Sequence, residues 1–212
     1  MEVDMSDTQE RSTLDKIHTA AIREFLAKGF QAASLRNIVK TAGVTTGAFY
    51  GYYSSKEELF EALVGKHADY VFHLFDKTLE HFKILSGEEQ TQKMTEISGD
   101  VMFEMMEYIY QYPEVFKLIL QCAEGTIYSD FVQQLVEREA KSTYDYIETL
   151  KTMGQPVKNI NSKLIHMVSS GLFVGIFETI LHDMPKEEAK EYLMQLAKFY
   201  EAGWEKLLGV QF

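Results

Sequence analysis

Residues 34–59 read SLRNIVKTAGVTTGAFYGYYSSKEEL, and the run resolves into two short helices joined by a tight turn. Ser34 can cap a helix whose apolar residues Leu35, Ile38, Val39 and Ala42 fall on one face, and Gly43 supplies the left-handed residue that stops it. Val44 then packs inward. Thr45 can cap a second helix that opens Thr46-Gly47-Ala48, with Phe49 as its buried anchor and Tyr50, Tyr52 and Tyr53 following. The small side chains of that first turn let backbone and the positive end of the helix dipole approach a nucleic-acid groove. Ser55 and Glu58 then form a capping box for a longer helix carrying Leu59, Phe60, Leu63, Val64, Val71, Leu74 and Phe75. Its pattern runs to about Ile84, where SGEEQ breaks it.

Outward from this segment every signal is helical. Upstream, Leu14, Ile17, His18, Ala21 and Phe25 recur at helical spacing, Ser12 or Thr13 can cap them, and Gly29 ends the helix; His18 reads as a core histidine. Downstream, breaks at Pro113, Gly125, Gly154-Gln155-Pro156 and Met184-Pro185 separate helices near 90–111, 113–122, 126–152, 161–182 and 186–208. The class is all-α with about nine helices: a three-helix helix-turn-helix domain over 12–56, then a helical bundle over 57–212. The polar residues 1–11 read as a disordered tail.

The 34–59 segment resembles the DNA-binding domain of TetR-family transcriptional regulators. The elements that match are Ser34, Ala42-Gly43-Val44, Thr45, Gly47, Phe49-Tyr50, Tyr52-Tyr53 and Lys56-Glu57-Glu58-Leu59. In sequence the resemblance covers Ser12 to Val64, and Gly51 departs from it by standing where many members carry a larger residue that touches DNA. The resemblance implies a cytoplasmic homodimer on double-stranded DNA, usually a repressor released by a small ligand. It makes Ser34, Tyr50, Tyr52 and Lys56 phosphate contacts beside the cap Thr45, and sets Arg36, Thr46, Gly47 and Ala48 nearest the bases. Only Arg36 offers a guanidinium fork to a base edge.

A net charge of −11 suits a DNA binder poorly until it is divided along the chain. Residues 1–10 carry four acids and no base. Residues 11–66 carry eight Lys or Arg against five Asp or Glu, and residues 67–212 carry 13 against 23. The basic module is the one with the helix-turn-helix pattern. The acidic start MEVDMSDTQER does not read as a signal peptide, and no apolar run is expected to reach the roughly 20 residues of a membrane span. One cysteine, Cys122, excludes an internal disulfide and reads as a small buried apolar residue.

Two further constellations call for a reading. In HMVSSGLFVGIFETIL, Ser170, Gly171, Val174 and Gly175 set small residues one turn apart on a helix; with Trp204 they are expected to form a dimer interface, the alternative being an ordinary contact within the chain. A run rich in Met and aromatics is expected to wall a pocket for a neutral or cationic apolar or aromatic effector. Its candidates are Met102, Phe103, Met106, Tyr110, Phe116, Tyr128, Phe131, His166 and Phe173, although any one of them can be plain core. An enzyme is not expected. There is no nucleotide-binding glycine loop, and no histidine follows a Glu by three residues, so neither cofactor nor metal is called for. The rival readings are a ligand-independent or activating DNA binder and an all-α metal-dependent enzyme.

Overall fold

The computed structural model describes the backbone from Met5 to Phe212 and side chains from Ser12 onward. Its elements are α1 (Met5–Ala32), α2 (Leu35–Ala42), α3 (Thr46–Tyr50), α4 (Lys56–Ile84), α5 (Gly87–Ile109), α6 (Pro113–Lys117), a π-helical turn (Leu118–Cys122), α7 (Phe131–Thr152), α8 (Ser162–Leu181) and α9 (Lys186–Leu208). No strand occurs among the described residues. The tail expected over 1–11 lies outside the described residues as far as residue 4, and α1 begins at Met5, so Ser12 and Thr13 stand inside the helix instead of capping it. Gly29 does interrupt α1, with φ 73° and ψ 165°.

The other boundaries follow local chemistry. Ser86 caps α5 through a capping box with Glu89, so that helix starts at Gly87, ahead of the expected residue 90. Helix α7 starts at Phe131, not at 126, because the Thr126 hydroxyl donates to the Ala123 carbonyl at 2.7 Å and accepts from the Tyr128 amide at 3.1 Å, closing a turn there. Asn161 caps α8 by accepting from the Lys163 amide at 2.9 Å, and Gly209 at φ 75° ends α9.

The chain forms two compact units, one made of residues up to Asp69 with Pro113–Ser129, the other of Tyr70–Tyr112 with Asp130–Phe212. The division thus falls inside α4 and not at the expected residue 56. Residues 113–129 join the first unit because Phe116, Leu118 and Ile119 are buried there, with α6 and the π-helical turn against α1. In that unit Phe25, Phe30 and Phe60 form an aromatic core, with Phe60 edge-on to the other two at 5.1 and 5.2 Å. In the second unit α7 packs on α8 and α8 on α9, and Phe82, Tyr146, Ile147, Leu150, Ile165 and Leu208 form a hydrophobic cluster.

One expectation fails on composition. Helix α8 is 20 residues long and contains an 18-residue window with a mean hydropathy of 1.7, long and apolar enough to cross a membrane. Its apolar character has a use within the chain: Ile165, Phe173, Ile176, Phe177 and Ile180 are buried in the second unit.

Candidate functional site

The helix-turn-helix sorts its residues by face. Ile38, Val39, Ala42 and Phe49 are buried, while Arg36, Thr45, Thr46, Gly47 and Tyr50 are exposed and Ala48 and Tyr52 half-buried. Gly43 has φ 67° and ends α2; its amide donates to the Lys40 carbonyl at 3.2 Å, and the Val44 amide to Val39 at 3.3 Å. Thr45 caps α3 by accepting from the Ala48 amide at 3.1 Å. The first turn of α3 therefore presents Thr46 and Gly47 outward on a fixed backbone, with Arg36 exposed on the preceding helix.

Two of the expected DNA contacts are tied into the domain. Ser34 holds the N-cap position of α2 at φ −113°, but its hydroxyl makes no capping bond. Its amide donates instead to Glu24 Oε1 at 3.2 Å, which also accepts from Asn37 Nδ2 at 3.3 Å and Lys28 Nζ at 2.8 Å. The hydrogen bond from Lys28 leads in holding that carboxyl below the usual range. Lys56 is more fully occupied: its ammonium donates to the carbonyls of Phe30 at 2.7 Å, Gln31 at 3.0 Å and Ala33 at 3.1 Å. It also lies 4.6 Å over the Phe30 ring. These are carbonyls at the end of α1 that no helical amide reaches, so the three N–H donors of Lys56 serve as its C-terminal cap. The capping box expected of Ser55 and Glu58 is shared with a neighbour: Ser55 Oγ accepts from the Glu58 amide at 3.1 Å, while the Glu58 carboxylate accepts from the amide of Ser54 at 2.7 Å.

The second unit holds a cavity of about 170 Å³. It is walled by Phe75 and Phe82 of α4, Met102 and Met105 of α5, Tyr146 of α7, Phe173 of α8, and Tyr200 and Trp204 of α9. Glu139, Ser142 and Thr143 of α7 and Glu201 of α9 add polar groups, and among the described residues no Lys, Arg or His lines it. Part of the Glu139 side chain remains accessible, yet burial raises its carboxyl to about 7.

Of the residues expected to wall a pocket, Met102 and Phe173 do so. Met106 and Phe131 are packed core at 1% exposure each. Tyr110 turns its hydroxyl to the Met184 carbonyl at 2.9 Å. Phe103 and His166 are half-buried off the cavity wall. Phe116 and Tyr128 belong to the first unit, where the Tyr128 hydroxyl donates to Glu61 at 2.5 Å. Glu139 escapes the sequence reading although a signal is there: it stands on the stripe of Leu135, Ser142, Tyr146 and Leu150, an acid on an inward-facing row.

The small residues of α8 serve α9 of the same chain. A side chain at Gly171 would meet the Tyr200 hydroxyl at 2.8 Å, and one at Gly175 would meet Leu196 at 3.0 Å. Trp204 is a cavity wall residue. Ser170 is half-buried, and Val174 is exposed, as are Met167 of α8 and Phe199 of α9. Among the described residues no group of three or more metal-ligating side chains occurs.

Residues 17–63 match the profile "Bacterial regulatory proteins, tetR family". The chain is 30% identical over 133 residues to the "Probable HTH-type transcriptional regulator YttP" of Bacillus subtilis, a match covering 63% of this chain and 58% of that protein. It is 24% identical over 211 residues to the HTH-type transcriptional regulator AcrR of Shigella flexneri, covering 91% of each. Three of the curated relatives are spanned over 48, 58 and 59% of their own length. In fold, the chain is similar to a "TerR/AcrR family" regulator from Aquifex aeolicus, with a TM-score of 0.57, 21% identity, and coverage of 89% of this chain and 99% of that one. The matched stretch contains the whole helix-turn-helix described above, and over residues 17–63 the chain carries the domain of the tetR family of bacterial regulatory proteins.

Proposed function

We propose that the protein is a cytoplasmic transcriptional regulator that binds a palindromic operator as a homodimer and represses until a small apolar or aromatic effector enters the cavity. The observation that carries this reading is the sorting of faces in the helix-turn-helix. Phe49 anchors α3 from within while Arg36, Thr46, Gly47 and Tyr50 stand outside on capped backbone, the disposition a major-groove reader needs. A second copy is favoured by the exposed Met167 and Val174 of α8 and Phe199 of α9, at 69%, 48% and 72% exposure, because large apolar side chains on adjoining helices gain from burial.

Effector release would act through α4, whose first part belongs to one unit and whose second part carries cavity residues Phe75 and Phe82 in the other. Moving the operator-competent state from about 99% to 1% requires the effector to prefer one state by about 5 kcal/mol. The test is selection of sites from a random DNA pool followed by mobility-shift titration over a salt series. A palindromic site bound by two protomers, with affinity falling steeply as salt rises, is the expected result. A protein that selects no site from the pool overturns the reading.

A further inference from the structure

The second-unit cavity offers aromatic walls and one carboxylate that nothing answers. Among the described residues no hydrogen bond or ion pair reaches the Glu139 side chain. Its neighbour Arg138 is turned elsewhere, with Nε donating to Asp76 at 2.8 Å, one terminal nitrogen to the Gln134 carbonyl at 3.0 Å and the guanidinium 4.6 Å over Phe72. The other carboxylate on the wall, Glu201, already accepts from the Thr95 hydroxyl at 2.6 Å. Tyr146 and Tyr200 are the remaining titratable side chains lining the space, and the hydroxyl of Tyr146 pairs with Thr91 at 2.8 Å.

An acid facing an apolar cavity without a partner is costly when charged, and an entering cation removes that cost by supplying the missing counter-charge. Aromatic faces add to this, since a desolvated cation is attracted to the rings of residues such as Trp204 and Tyr146. An anion meets the opposite circumstances, with two carboxylates on the wall and no basic side chain among the described residues. We propose that Glu139 is the charge-selecting residue of this cavity and that the molecule it admits is a lipophilic cation, an aryl or alkyl amine, with its ammonium against the Glu139 carboxylate. This rests on the proposal that the cavity is an effector site.

The chain's single tryptophan, Trp204, stands on the cavity wall and reports occupancy by its fluorescence. Three probes of one skeleton separate charge from shape: 4-tert-butylbenzylamine, 4-tert-butylbenzyl alcohol and 4-tert-butylbenzoate, titrated into the full chain at pH 8. The amine should bind at least tenfold more tightly than the alcohol, and the benzoate weakest. Glu139→Gln should bring amine and alcohol within about twofold, while Glu201→Gln keeps most of the amine preference. Glu139→Ala, with its melting curve recorded beside that of the wild type, repeats the comparison without an added amide. If the alcohol binds as well as the amine, or Glu139→Gln leaves the preference intact, the charge assignment is overturned while the effector cavity stands. If none of the three changes Trp204 fluorescence or thermal stability, the effector cavity itself is overturned and this assignment with it.

Discussion

The ammonium of Lys56 donates to the carbonyl oxygen of Phe30 at 2.7 Å and lies over the ring of the same residue. A side chain at the first position of α4 thereby closes the end of α1. The resemblance assigns Lys56 to DNA phosphate, but its donors are spent inside the domain.

Lys56→Met, which keeps the stem and removes the charge, should lower unfolding free energy by about 2 kcal/mol, the range for lost hydrogen bonds to a charged group. Urea denaturation checks it. A loss below about 0.5 kcal/mol, with DNA affinity falling at every sequence, would return Lys56 to phosphate contact.

Arg36 is exposed on α2 and should behave in the opposite way. Arg36→Ala should leave the melting temperature unchanged, weaken the selected operator by about 1–3 kcal/mol and relax the sequence preference at one base pair of each half-site. Anisotropy titration against operators varied one position at a time measures this. A uniform loss across all variants would make Arg36 a backbone contact.

On α8, Gly175 and the exposed face near Val174 should separate cleanly. A leucine at position 175 would collide with Leu196 and the Tyr192 hydroxyl, at 3.0 and 3.4 Å from where its Cβ begins. Gly175→Leu should cost about 1–3 kcal/mol of stability through overpacking of α8 against α9. Phe199→Glu should instead yield a monomer in sedimentation with helix content retained. A dimer that survives Phe199→Glu would place the contact between copies elsewhere.

Glu139 gives the fold a pH dependence of known sign. Its carboxyl rises from 4.5 to about 7 on folding, so between those values the folded chain holds a proton that the unfolded chain has released. The associated stability is complete below pH 4.5 and is lost as pH climbs through about 7, a change on the order of 3 kcal/mol. Burial lowers the pKa of His18 and His67, which act in the opposite sense, so the measurement is the difference between the wild type and Glu139→Gln across pH 4 to 8. Parallel stability curves for the two proteins would mean that the carboxyl is solvated.

How far the sequence could be read depended on the range of the interactions. The Thr45 cap and the left-handed Gly43 involve neighbours within four residues, so residue identity announces them. Lys56 could not be placed in this way, because its carbonyl partners lie 23 to 26 residues back and only the fold assembles them. The cavity shows the same limit: helical spacing marks Met102, Met106 and Phe131 alike as inward-facing, but whether two helices close over a side chain or part beside it is decided by crossing geometry. The glycines of α8 are legible as a close approach, and what remained hidden was that the approaching helix is α9 of the same chain.

The Lys56 clasp also bears on how the domain forms. Joining residues 26 apart, it closes the chain bearing α2 and α3 into a loop of modest contour, whose ends meet at small entropic cost. Contacts this local in sequence form quickly, whereas the association of α5 with α9 spans about a hundred residues, as between Thr95 and Glu201. The recognition loop is therefore expected to gain its native amide protection early in refolding, with the cavity-bearing unit following. Opening the clasp should release α2 and α3 to hydrogen exchange together.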